Sequence, residues 1–174
     1  ITGNANNIEA INLMAIILRR NGETDFAKQT LHEAEIIDPL SLTTAFEKYE
    51  AGKLEKGMEA ARTLRTFYRD EVDNYLETAS RYIIAGFYSD AVELLHLATT
   101  PELPQTSRNP LIYYYLGYCY SKTNDKADAA NWFAKASAMN TDYCFPFGPT
   151  TYNVLEEAAS SNNDDATAHY LLGN

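Results

Sequence analysis

The residues of this chain best suited to metal or nucleophilic chemistry are its histidines and cysteines, and their spacing supports neither. His32, His96 and His169 each stand alone, with no Cys, Asp or second His at zinc-ligand spacing, so surface exposure or packing between helices accounts for them. Cys119 and Cys144 are too few for a disulfide framework; two free thiols are the expectation, with a single bridge as the alternative. No histidine motif accompanies Cys119 to generate a thiolate nucleophile. The acidic groups Glu156 with Glu157, Asp164 with Asp165, and Glu33 with Glu35 fall at helix ends or on exposed faces, where charge is solvated and no cleft sets a catalytic separation. Glycines occur singly and follow no strand, which removes a phosphate-cradling loop. The expectation is a chain without catalytic residues, metal or cofactor.

Composition narrows the partners. With 174 residues, 45% of them hydrophobic, the chain is long enough to bury a core as one domain or a short solenoid. Lys and Arg number 14 against 24 Asp and Glu, and the resulting charge of −10 repels phosphate backbones and anionic lipid headgroups. No apolar run approaches the roughly 20 residues of a membrane span. Nucleic acid and membrane insertion are therefore not expected. The chain opens on Ile1 rather than Met, so localisation stays open, with the cytoplasm as the leading alternative.

What remains is a set of helices that must bury one another. Between Pro110 and Met139, Tyr113, Leu116, Gly117 and Tyr120 share one helical face, while Ala129, Phe133 and Ala136 share the face of the next helix. Small groups let two axes approach and large ones fill the gap, so the stretch predicts a helical hairpin. The same order appears near the N-terminus. Asn6 or Asn7 caps a helix with the face Ile8, Ile11, Met14, Ala15 and Leu18; Asn21-Gly22 stops it; Asp25 caps a second helix carrying Ala27, Leu31 and Ala34; and Asp38-Pro39 ends that one. Residues 40–68 are less regular, with Gly52 as the expected break and Gly57 inside the following helix, whose apolar residues are Leu54, Met58, Ala61 and Leu64. Tyr75, Ala79, Tyr82, Gly86, Ala91, Leu95 and Ala98 restore the pattern, with Ser89 or Asp90 as cap. The stretch 99–110 holds three prolines and reads as a loop. Anchors Ala15, Ala45, Ala79 and Gly117 stand 30, 34 and 38 residues apart.

This order of aromatic, Leu-Gly and Tyr followed by Ala, Phe and Ala, at intervals of about 34 residues, resembles the tetratricopeptide repeat (TPR). The resemblance implies an all-α, right-handed solenoid of antiparallel helical hairpins forming a single repeat domain. Its repeats would cover approximately 5–39, 40–70, 71–104 and 109–141, followed by an extra helix at 148–161 and a truncated repeat at 164–174. The segment from Tyr113 through DYCFPF to HYLLGN is also similar to TPR regions of large bacterial multidomain proteins that carry a β-rich, mutarotase-like domain outside the repeats.

In TPR arrays the first helix of each pair lines a concave groove. The resemblance thereby assigns Asn12 and Arg19, Phe46 and Tyr49, and Tyr114, Tyr118 and Lys122 to peptide or protein binding, with plain packing as the alternative for the tyrosines. The lysine-then-asparagine clamp for a C-terminal carboxylate is missing, since Asn12 and Ile16, or Tyr114 and Tyr118, take those places. The implied function is a non-enzymatic protein-interaction scaffold within a larger protein. A spacer or self-association module that orients a missing catalytic or carbohydrate-acting domain is the alternative. Because the chain stops inside a repeat pattern, Tyr170, Leu171 and Leu172 are expected to lack a covering helix, so that the last helix either docks loosely and frays or pairs with a second copy as a homodimer.

Overall fold

The computed structural model describes residues 7–173, apart from the side chains of residues 53–56. Asn6 as a cap, the first residues of the 5–39 segment, the face position of Leu54 and residue 174 thus lie outside the described residues. Within them are nine α-helices and no strand. The all-α architecture of successive hairpins is the one the TPR resemblance implies. The chain forms two compact units, Ile1–Arg69 and Asp70–Asn174.

The first unit opens with α1 (Ile8–Arg20), whose first turn is held by Asn7 Oδ1, an acceptor for the N–H groups of Glu9 and Ala10. Gly22, at φ 81°, turns the chain into α2 (Thr24–Ile37). Asp25 lies inside the first turn of α2 and does not cap it; its charge still complements the positive helix end. Ala15, Ala27, Leu31 and Ala34 are all buried where α1 packs on α2, whereas Met14, expected on this face, is exposed. The buried stripe is rotated by one residue, to Asn12, Ala15 and Ile16.

The third element corrects the expected break. Helix α3 (Leu42–Tyr68) runs through Gly52 and is interrupted at Gly57, where φ 44° and ψ −115° suit a residue without a side chain. Its two arms fold back on each other, so that Tyr68 donates its hydroxyl to the carbonyl of Leu42 at 2.9 Å.

The second unit stacks three hairpins: α4 (Val72–Ile84) with α5 (Tyr88–Ala98), α6 (Pro110–Lys122) with α7 (Lys126–Ser137), and α8 (Gly148–Ser161) with α9 (Ala166–Leu172). Neither Ser89 nor Asp90 caps α5, which begins at Tyr88 with Phe87 at the cap position, two residues before Ser89. The turns of the first two hairpins repeat the chemistry of the α1–α2 turn. Gly22, Gly86 and Asn124 all have positive φ, and the following N–H closes the same loop each time, from Glu23 to Leu18, Phe87 to Tyr82 and Asp125 to Tyr120.

Helices α4, α6 and α8 lie side by side, each packed on the helix that follows it. Gly117 makes the closest approach: a Cβ there would sit 2.4 Å from the ring of Phe133 on α7. The proline-rich segment between α5 and α6 is tied down rather than loose, because the Asp70 carboxylate accepts from the backbone N–H groups of Gln105 at 2.8 Å and Thr106 at 2.9 Å. Leu171, expected to lack cover, is buried where α9 meets α7 and α8, while Tyr170 beside it is exposed.

Candidate functional site

The residues assigned to the groove divide into interior tethers and half-exposed side chains. Phe46 and Tyr114 are both 0% exposed. Tyr114 donates its hydroxyl to the Asp165 carboxylate, at 2.9 and 3.0 Å, and the same carboxylate accepts from the N–H of Ala168, so the tyrosine fixes the cap of α9. Burial and that carboxylate together push the Tyr114 phenol well above its ordinary value. Asn12 is buried as well; its amide oxygen accepts from Thr44 Oγ1 at 2.8 Å and its nitrogen donates to Ser41 Oγ at 3.2 Å.

Arg19 reaches from α1 to α3 and grips Glu47 with two nitrogens, Nε at 2.7 Å and Nη2 at 3.0 Å, with Glu50 at 3.9 Å. On α6, Lys122 pairs with Glu157 of α8 and lies over the ring of Tyr118, with Nζ 4.7 Å from its centroid. Ser121 donates to the same glutamate, and Tyr115 shares a 2.7 Å hydrogen bond with Thr151 of α8. The first-helix face of each unit is therefore threaded by bonds to the next first helix.

Tyr49 lies elsewhere. Stacked on Phe46 at 6.1 Å between ring centroids, it forms part of the wall of a cleft of about 340 Å³ between the end of α2 and the two arms of α3. Ala45, Leu64 and Phe67 give the cleft an apolar lining, and the ion pair from Lys48 to Glu35, at 2.6 Å, stands at its edge. The irregular hairpin thus encloses a cavity between its arms.

A second cleft, of about 300 Å³, belongs to the second unit and was not singled out by residue type or spacing. In the stretch between α7 and α8 the backbone alternates: Tyr143, Phe145 and Phe147 are 88%, 76% and 56% exposed, while Cys144 between them is buried. The large apolar groups point outward and the small thiol inward. Cys144 Sγ donates to Asn109 Oδ1 at 3.7 Å, Asn140 Oδ1 accepts from the N–H of Asp142 at 2.7 Å, and Thr151 donates to the carbonyl of Phe147 at 2.6 Å. These bonds anchor the stretch on both sides. Tyr143 holds a positive φ of 57°, a conformation disfavoured for a residue with a bulky side chain. The aromatic residues line the cleft together with Glu71 and Asp73 from the start of α4. The one available sequence signal was the cluster of aromatics around Pro146, which is a local feature with no partner named in it.

No catalytic constellation is assembled among the described residues. Both cysteines are free, and burial pushes the Cys119 thiol up to about 12 and the Cys144 thiol up to about 11, far from the reactive thiolate range. No group of three or more His, Cys, Asp or Glu side chains is placed to hold a metal ion, and no helix is long and apolar enough to cross a membrane, in each case among the described residues.

No family model and no curated protein matches the chain. Among solved structures, one titled for the functional characterization of Pseudomonas aeruginosa pilF overlays with a TM-score of 0.40 and 18% identity, across 95% of this chain and 75% of that one. At that level of agreement no residue role transfers.

Proposed function

We propose that this chain is a non-enzymatic protein-interaction scaffold that receives a short peptide segment in the cleft walled by Tyr49. The supporting observation is the cleft itself: an apolar floor from Ala45 and Leu64, aromatic walls from Tyr49 and Phe67, and a charged edge from Lys48 and Glu35. Such a combination suits a peptide with one apolar anchor and flanking polar groups. Selection of a displayed peptide library on the purified protein tests the reading. The selected peptides are expected to lose binding to Tyr49→Ala and to Ala60→Trp, which fills the cleft. Equal binding to both variants would overturn it.

A second reading, a spacer that orients a domain outside this segment, is favoured by the bonds between first helices at Arg19–Glu47, Tyr115–Thr151 and Lys122–Glu157. Under it, self-association would run through Tyr170, which is exposed on α9. Sedimentation of the protein and of Tyr170→Glu separates the cases: a dimer that dissociates in the variant supports it, and a monomer in both leaves self-association without a basis.

A further inference from the structure

We propose that the cleft formed by Tyr143, Phe145 and Phe147 with Glu71 and Asp73 binds an arginine side chain presented by a basic partner segment. It gives a chemical class of partner to the interaction reading above but uses a different surface, so each stands or falls separately.

Charge carries the first step. Glu71 and Asp73 face the cleft from the start of α4, both are exposed, and neither makes an ion pair among the described residues. Glu71 occupies the cap position of α4 without a side-chain cap bond, so its carboxylate is not consumed by the helix. The end of α4 contributes about half a positive charge, which two carboxylates outweigh. The lining contains no Lys, Arg or His. A chain of net charge −10 adds a field of the same sign.

Hydrogen-bonding capacity carries the second step. Asn109 Oδ1 is already engaged by the N–H of Leu111 and by Cys144. The lining keeps neutral donors in the amide nitrogens of Gln105 and Asn109 and the Tyr143 hydroxyl, but its charged groups, Glu71 and Asp73, only accept. A cationic donor therefore answers the charge of the cleft, which a neutral ligand does not. The aromatic faces carry the third step, because they attract cations and give a planar guanidinium a surface to stack on. Arginine satisfies both demands at once, with a fork of donors toward the acids and a flat face toward the rings. The anchored backbone supplies preorganisation, since Cys144 and Thr151 hold the aromatics outward before any partner arrives.

Titration of the protein with a labelled tetra-arginine peptide, followed by fluorescence anisotropy, tests this. Binding is expected to weaken roughly tenfold or more in Phe145→Ala/Phe147→Ala and in Glu71→Gln/Asp73→Asn, to fall with added salt, and to be absent for the isosteric tetra-citrulline peptide. The variant Glu33→Gln/Asp164→Asn removes the same charge from exposed positions elsewhere and is expected to bind as the unaltered protein does. Circular dichroism confirms that each variant folds. An equal loss in the Glu33/Asp164 variant, undiminished binding to the aromatic double variant, or equal affinity for tetra-citrulline would each overturn the proposal. Ala60→Trp is expected to leave tetra-arginine binding unchanged, so failure here does not touch the Tyr49 cleft.

Discussion

At Arg19 and Lys122 the same residue-level assignment, a groove cation, meets two different environments. The side chain of Glu47 is 0% exposed, and Arg19 supplies its two-pronged counter-charge. Removing one partner of a buried pair takes away much of the counter-charge of a carboxylate held out of water, so Arg19→Ala is expected to cost up to about 3–5 kcal/mol in urea unfolding. Lys122 and Glu157 are both partly solvated, and Lys122→Ala is expected to cost about 0–1 kcal/mol. Equal costs would contradict the burial difference. His96 offers a pH test at the same scale. Its ring packs edge-on against Trp132 at 5.4 Å and bonds Tyr120 Oη at 3.0 Å, and burial lowers its pKa below 6.5, partly offset by Glu93 and Asp128. The unfolded chain therefore binds the proton more readily than the folded one. Its contribution to stability is complete above about pH 6.5 and is lost as the pH falls from there toward the lowered folded value. Urea midpoints measured on either side of that pH are expected to drop more for the unaltered protein than for His96→Gln.

At the scale of elements, glycines decide where helices touch and where they turn. Gly117→Ala gains up to about 1 kcal/mol of helix propensity. It also places a methyl group against the buried Phe133 ring, which is backed by Tyr114 at 6.3 Å and has little room to move. Overpacking of this kind costs about 1–3 kcal/mol, so a net loss is expected in thermal melts. A double-mutant cycle with Phe133→Leu should then show favourable coupling. Gly52 and Gly57 make a paired test. Nothing lies within 4 Å of a Cβ at either position, so only backbone conformation distinguishes them. Gly52→Ala, in regular helix, is expected to be neutral or stabilising by up to about 1 kcal/mol. Gly57→Ala, at φ 44°, is expected to destabilise by about 1 kcal/mol or more. The reverse order would return the break to Gly52.

For the molecule as a whole, the charge of −10 governs long-range encounters. Electrophoretic mobility of a labelled DNA duplex is expected to be unchanged by the protein even at low ionic strength, since repulsion is least screened there. A retarded band would show a local basic surface strong enough to override the net charge.

Helix periodicity, small-residue seams and the stop at Asn21-Gly22 were legible from the residues alone, because each involves neighbours within one hairpin. Local steric and burial rules suffice over that range. The candidate site was not legible to the same degree. Whether Arg19, Tyr114 or Lys122 faces solvent depends on Glu47, Asp165 and Glu157, residues 28, 51 and 35 positions away that no periodicity selects. The exposure of Tyr143, Phe145 and Phe147 likewise follows from Cys144 turning inward to Asn109, which lies on the preceding hairpin. The sequence by itself determined the hairpins, whose contacts are short in range. Tertiary structure alone decided which side chains were used up in joining them and which were left to meet a partner.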